Sequence, residues 1–360
     1  MLALVSTTLP ASAKTVLERE RVWELRQVPS VREALESMSP DERDLVTALF
    51  VETEPIGEAI FSLLANLEVV ACLRSEPVNI DIEAASTHQV VVVHTPGRNA
   101  EAVADFTLGL CLAMLRSIAV AHHAILSGEL TTANKSKGER RAKGDVIWRP
   151  DDPTAPIPYV LYKGHQLSKL VVAVVGFGAV GRAVARRFDG LVGEIWVVDP
   201  ALSNEAIEEA GFVAATLTEA LEGADVVTLH ARSASQLIGR SELEQMKRGS
   251  YLINTARATV LDYEALTEAL DSGHLAGAAL DVFPDEPLSN SDPLLRAPHL
   301  TLTPHLAGAA YEVADVQWEI ALRAIAGLYE ADADWSSIAV RNADIRNVWE
   351  KRRAHSGVKG

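Results

Sequence analysis

Leu170-Val-Val-Ala-Val-Val175-Gly176-Phe177-Gly178-Ala179-Val180-Gly181-Arg182-Ala-Val-Ala-Arg-Arg-Phe188 is the stretch whose reading decides the fold. It opens with apolar residues in an unbroken run, the pattern of a strand covered on both faces. It closes with the period of a helix. Three glycines spaced GxGxxG stand between them, and in that setting the spacing serves a dinucleotide. Gly176 permits a tight turn, Gly178 lets the backbone approach a pyrophosphate, and Gly181 lets the helix pack closely on the strand. The first N–H groups of the helix and its positive dipole end face the same phosphates, so Ala179 and Val180 join the cofactor-binding set.

The next apolar run ends at Asp199. A carboxylate at the end of the second strand accepts hydrogen bonds from ribose hydroxyls and repels a 2′-phosphate. No Arg or Lys follows in Pro200-Ala-Leu-Ser-Asn204 to offset that repulsion, so the cofactor is read as NAD.

Further short Val/Ile/Leu-rich runs occupy 69–72, 90–93, 226–229, 251–253 and 278–280, with helical stretches between them. Alternation of this kind predicts α/β architecture with doubly wound parallel sheets. Three hundred and sixty residues exceed one ordinary core and suit two domains. Residues 99–126 read as one long helix with Asn99 as its N-cap and Glu101 in its first turn, and a domain junction is placed within it. Residues 131–162 read as a long surface loop, because Pro150, Pro153, Pro156 and Pro158 suit neither a helix interior nor a central strand.

The formal charge of -16 argues against nucleic acid, whose phosphates it would repel. Basic runs at 135–143 and at Lys351-Arg352-Arg353 read as solvated loop and tail. No apolar run approaches the ~20 residues of a membrane span. Leu2-Ala3-Leu4-Val5 followed by Ala11-Ser12-Ala13 imitates a secretory leader, but it lacks a basic start and is too short. Cys72 and Cys111 sit in apolar surroundings and read as buried thiols, with no metal site and a cytoplasmic setting.

The second half carries Tyr251-Leu-Ile-Asn-Thr255-Ala256-Arg257-Ala-Thr-Val-Leu-Asp262, then Gly277-Ala-Ala-Leu-Asp281-Val-Phe-Pro-Asp-Glu286-Pro-Leu288, then Leu300-Thr-Leu-Thr-Pro-His305-Leu-Ala-Gly308. This ordered set resembles the D-isomer-specific 2-hydroxyacid dehydrogenases. Asn79-Ile-Asp81 and Thr95-Pro-Gly-Arg-Asn99-Ala-Glu resemble the family's substrate-domain signature. The resemblance implies a Rossmann NAD-binding domain over 117–303. It also implies a flavodoxin-like substrate domain built from 1–116 and 304–360, and a homodimer. It assigns Arg257 to the substrate, His305 to acid/base work and Glu286 to the histidine. Thr255, Ala256, Asp281 and Gly308 fall to the cofactor; Arg74, Ser75 and Asn99 fall to the substrate.

The residue types suit that chemistry on their own terms. A 2-keto acid needs a cation for its carboxylate, and the guanidinium of Arg257 binds one bidentately without losing its charge. The developing alkoxide needs a proton donor, and imidazole exchanges its proton near neutrality. A carboxylate beside that ring favours the imidazolium.

Some positions depart from the family. The turn after 69–72 reads Arg74-Ser-Glu-Pro-Val-Asn79 where the family presents glycines, and Pro77 offers no N–H. Arg74 either adds a second cation for a larger acidic substrate or pairs with Glu76. Ala258 replaces a glycine beside Arg257, and Arg232 stands where a proline is usual. An NAD(H)-sensing, corepressor-like binding protein of the same fold is the other function that this pattern fits.

Overall fold

The computed structural model describes residues 1–20, 23–130, 136–140, 146–150, 157–233, 235–330, 335 and 338–356. Two compact units divide the chain: residues 1–99 with 309–360, and residues 100–308.

In the first unit five strands form a parallel sheet: β1 (Leu2–Val5), β2 (Glu24–Gln27), β3 (Val46–Val51), β4 (Val69–Cys72) and β5 (Val91–Val93). Their order is β2-β1-β3-β4-β5, the flavodoxin-like arrangement. All six residues of β3 are buried, because both faces of the sheet are covered. Leu49 and Val51 join Leu35, Phe61 and Val92 on one face. Ala48 and Phe50 join Trp318, Trp335 and Trp349 on the other. Leu2–Val5 is thus core strand, and Ala11–Glu20 forms a helix; the leader-like pattern reflects the apolar strand.

The segment after Leu328 closes the β5 edge. Val340 bridges Val93 in antiparallel fashion. Asn342, buried, accepts the Val92 N–H at 2.9 Å and donates to Val90 O at 2.9 Å and Ser86 Oγ at 3.2 Å. An edge paired in this way offers no template to another chain.

The second unit holds β8 (Val171–Val175), β9 (Glu194–Val198), β10 (Val213–Ala214), β11 (Val226–Leu229), β12 (Tyr251–Asn254), β13 (Gly277–Leu280) and β14 (Leu300–Leu302). The order β10-β9-β8-β11-β12-β13-β14, all parallel, is the Rossmann arrangement with one added strand. Val172 and Val174 face one core cluster, and Ala173 and Val175 the other.

The stretch read as one long helix is two, Ala100–Leu115 and Ile118–Leu126, bent by 65°. Ser117 between them adopts φ 53°, a left-handed conformation that no α-helix continues through. The expected junction at 116/117 is displaced as well. Helix Ala100–Leu115 packs wholly within the second unit, with Glu101 paired to Arg186 and Arg187 at 2.7 Å each and Asp105 to Arg187 at 2.5 Å. Likewise the second boundary falls at Gly308, not at 303, because the His305 loop packs on Asp281.

The expected 131–162 loop contains a two-stranded antiparallel hairpin, β6 (Ser136–Arg140) with β7 (Val146–Pro150), and a short helix, Pro158–Leu161. Pro150 ends its strand and Pro158 opens its helix, positions that tolerate a missing N–H. The remainder of that loop, the side chains of the basic run 135–143 and those of Arg352 and Arg353 lie outside the described residues.

Candidate active site

Ligands of open α/β sheets bind beyond the carboxyl ends of the strands. In the second unit that edge carries, strand by strand, Gly176, Asp199, His230, Thr255 to Arg257, Asp281, and Thr303 to His305.

The glycine turn fits a dinucleotide. Gly176 has φ 93°, and a Cβ there would meet Ala231 N at 2.5 Å. A Cβ on Gly181 would meet Gly176 O at 1.9 Å, so helix Ala179–Phe188 lies against the turn with no room for a side chain. A Cβ on Gly178 would meet nothing within 4 Å beyond its chain neighbours, which leaves the cradle open where a pyrophosphate would sit. Asp199 has a role that the sequence did not disclose: its Oδ2 accepts the Phe177 N–H at 2.7 Å and its Oδ1 the Ala201 N–H at 2.9 Å. One carboxylate therefore braces the glycine turn. Each oxygen keeps further lone-pair capacity for a ribose hydroxyl.

His305 and Glu286 come together. His305 Nδ1 lies 2.7 Å from Glu286 Oε2, and Glu286 Oε1 accepts the Phe283 N–H at 2.9 Å. Partial burial works to raise the Glu286 pKa. The hydrogen bonds from His305 and Phe283 and the charges of His305 and Arg257 outweigh it, so the carboxyl sits below the usual range. His305 itself has φ 54°, an uncommon conformation for a side chain this large, held by its surroundings.

What holds it is Asp281. Fully buried, Asp281 accepts the Thr303 hydroxyl at 2.6 Å, the Leu306 N–H at 2.8 Å and the Ala307 N–H at 2.7 Å. The residue placed by sequence at the cofactor spends its oxygens on the loop that carries His305, and Gly308 ends that loop and the unit.

Arg257 follows β12 with an exposed side chain whose Nη1 donates to Ala256 O at 2.6 Å. Its backbone is fixed by Asn254, which sequence reading passed over. The Asn254 amide donates to Arg257 O at 3.0 Å and accepts the Ala256 N–H at 3.0 Å. Tyr263 adds a 2.5 Å hydrogen bond to Val282 O, tying β12 to the loop after β13. The Thr255 hydroxyl meets Thr107 Oγ1 at 3.0 Å within the core. A polar residue ending a buried strand, as Asn254 does, is the signal that would have found this brace. Phe283, Pro287, Leu288, Leu295 and Leu302 line an apolar pocket of about 360 Å³ bordered by Glu286 and His305.

In the first unit, Arg74 and Ser75 follow β4, and Ser75 O lies 2.9 Å from His94 Nδ1. Asn99 is the last residue before the unit boundary. Arg74 has no carboxylate partner among the described residues, so the pairing with Glu76 is absent there. Arg98, which sequence reading left aside, pairs with Glu52 at 3.4 Å.

Residues 158–307 match the sequence model of the D-isomer specific 2-hydroxyacid dehydrogenase NAD binding domain. A glyoxylate reductase of Korarchaeum cryptofilum is 31% identical over 294 residues, covering 81% of this chain and 80% of that protein. A D-3-phosphoglycerate dehydrogenase of Archaeoglobus fulgidus is 31% identical over 84% of this chain and 50% of its own length. Among solved structures, a glyoxylate reductase from Paecilomyes thermophila superposes with TM-score 0.67 at 26% identity, covering 92% of this chain and 96% of that one.

Proposed function

The chain belongs to the D-isomer-specific 2-hydroxyacid dehydrogenase family, and from that membership we propose how its residues carry out NAD-dependent hydride transfer between a 2-hydroxy acid and its 2-keto acid. Residues 100–308 act as the NAD-binding domain and residues 1–99 with 309–360 as the substrate domain. NAD, when bound, accepts or supplies the hydride. The glycine turn holds its pyrophosphate, and Asp199 takes the ribose hydroxyls while bracing that turn.

Arg257 binds the substrate carboxylate through its planar fork. His305 gives a proton to the developing alkoxide in reduction and takes one in oxidation. Glu286 at Nδ1 leaves Nε2 as the working nitrogen and favours the imidazolium. Asn254 and Asp281 are positioning residues for Arg257 and His305. The observation that carries this reading is the 2.7 Å His305–Glu286 contact, made on the same sheet edge as the glycine turn.

The small keto acids that suit the relatives' names, glyoxylate first, are the proposed substrates. A homodimer is proposed through the apolar surface of helices Ile118–Leu126 and Pro158–Leu161, where Ile118, Ile125, Leu126, Tyr159 and Val160 are all exposed. No single described helix is long and apolar enough to cross a membrane, and both cysteines are free and buried. We place the protein in the cytoplasm on the thiols, which persist there.

NADH oxidation with glyoxylate, hydroxypyruvate and phosphohydroxypyruvate tests the reading. Turnover that His305→Ala lowers roughly 10²–10⁴-fold is the expected result. NADH binding without turnover on any keto acid would favour a nucleotide-sensing protein instead.

A further inference from the structure

Asp262 caps the helix Tyr263–Asp271, its side chain accepting the Ala265 N–H at 3.0 Å. Tyr263 is thereby fixed as the first helical residue, and its ring packs against the apolar core of residues 100–308. Its hydroxyl meets two polar groups. The O–H donates to Val282 O at 2.5 Å, and the Asn254 side-chain amide donates to the hydroxyl oxygen at 3.4 Å. An amide carries two N–H donors. Asn254 also donates to Arg257 O at 3.0 Å, and its Oδ1 accepts the Ala256 N–H at 3.0 Å.

Val282 O and the Phe283 N–H are the two ends of one peptide group, which its planarity keeps rigid. Tyr263 holds the carbonyl end. The N–H end donates to Glu286 Oε1 at 2.9 Å, and Glu286 Oε2 lies 2.7 Å from His305 Nδ1. A continuous relay of hydrogen bonds therefore runs from the Arg257 backbone through Asn254 and Tyr263 to the acid/base pair.

A donor at a carbonyl polarises the amide and strengthens the N–H on its far side. Burial raises the Tyr263 pKa, the Asn254 hydrogen bond lowers it and the Glu286 charge raises it again. The outcome is a rise, so the hydroxyl keeps its proton and remains a donor. Packing alone would accept Phe at 263, so the hydroxyl contributes direction and not volume.

We infer that Tyr263 is a positioning residue for the acid/base pair: its hydroxyl clamps the Val282–Phe283 peptide so that the N–H of that peptide holds Glu286 against His305. Through Asn254 the same hydroxyl ties this clamp to the backbone of Arg257. The inference rests on the proposed roles of Glu286 and His305 in keto-acid reduction and adds the residue that orients them.

Tyr263→Phe keeps the ring and removes the hydroxyl. With glyoxylate and NADH its kcat should fall about 2- to 10-fold, the weight of one hydrogen bond. KM should stay near the wild-type value, because Asn254 still holds Arg257. Glu286, His305 and Arg257 are the charged groups that act on one another here, Tyr263 staying neutral. With Glu286 loosened, the alkaline decline of the rate should move to lower pH, by less than in Glu286→Gln. The double variant should match Glu286→Gln alone, since the clamp then holds no carboxylate.

Amide hydrogen exchange reads the clamp without turnover. The Phe283 N–H should exchange about 2- to 10-fold faster in Tyr263→Phe. That result supports the clamp even if the wild type reduces no keto acid, an outcome that would sink the proposed function instead. Additive losses in the double variant, an unmoved pH profile or unchanged Phe283 exchange would each overturn the inference. So would loss of NADH binding in Tyr263→Phe, which would make the hydroxyl a contact of the fold.

Discussion

The buried Asp281 carboxylate receives the backbone N–H of Leu306 at 2.8 Å, on the residue that directly follows His305. Asp281→Asn would turn one acceptor into an amide donor facing N–H or O–H groups. A cost of about 1–3 kcal/mol is expected for the groups left unsatisfied. Turnover should fall further than that stability loss alone predicts, because His305 would leave its left-handed conformation. Thermal unfolding and kcat measured on the same preparation check both. A variant with normal kcat would remove Asp281 from the positioning of His305.

The pair Glu286–His305 sets the pH profile. Reduction of a keto acid consumes a proton that His305 must hold, so the rate declines as pH rises and the imidazolium is lost. Glu286→Gln removes the charge that favours the imidazolium, so the alkaline decline should move to lower pH. On the acid side the Glu286 carboxyl is held below its usual range, so Glu286 keeps its negative charge until pH falls beneath that range. His305→Ala should lower turnover roughly 10²–10⁴-fold while NADH still binds. A pH–rate profile unmoved in Glu286→Gln would refute the assignment.

Asp199 braces the Phe177 N–H and faces the ribose position with no cation in the residues that follow. Wild-type protein should bind NADH far better than NADPH. Asp199→Ala should narrow that ratio and also weaken NADH, since the glycine turn loses its brace. Fluorescence titration with each dinucleotide separates the two effects; equal affinity of the wild type for both would sink the assignment.

His230, fully buried, has its pKa pushed down to about 3 by desolvation. The folded protein holds the ring neutral, with one nitrogen 2.8 Å from Thr228 Oγ1. An unfolded chain protonates it below pH 6.5, so this residue withdraws stability as pH falls from 6.5 toward 3. His230→Asn should make the pH dependence of unfolding shallower in that window, by up to about 1.4 kcal/mol per pH unit. Denaturant titrations at several pH values would measure it, and an unchanged slope would contradict burial of a neutral ring.

Much of this architecture was legible because parallel strands covered on both faces leave unbroken apolar runs, as at β8 and β11. The N-terminal strand Leu2–Val5 was left out of the strand list because a four-residue apolar run at a chain start looks the same for a strand and a leader. The break at Ser117 left no trace in the apolar pattern, since nothing but a left-handed backbone marks it. In the candidate site, the pairing of Glu286 with His305 was legible from residue type and order. The braces were not: Asn254, Tyr263 and the Asp281 contacts depend on which backbone groups the fold leaves unpaired.

The ring of Phe50 stacks on that of Trp318 with centroids 4.7 Å apart, across most of the length of the chain. This pairing dictates an order of events during synthesis. Residues 100–308 are continuous and can complete their own core as they leave the ribosome, since domains generally fold as units. The sheet of residues 1–99 must meanwhile wait with the face bearing Ala3, Phe50, Ala71 and Val93 covered only in part, by Ala13, Leu17 and Trp23. Only when Trp318 and Trp349 have emerged does that face close. Until then it is an adhesive surface of the kind chaperones hold, and the portion of the chain made first is the last to finish folding.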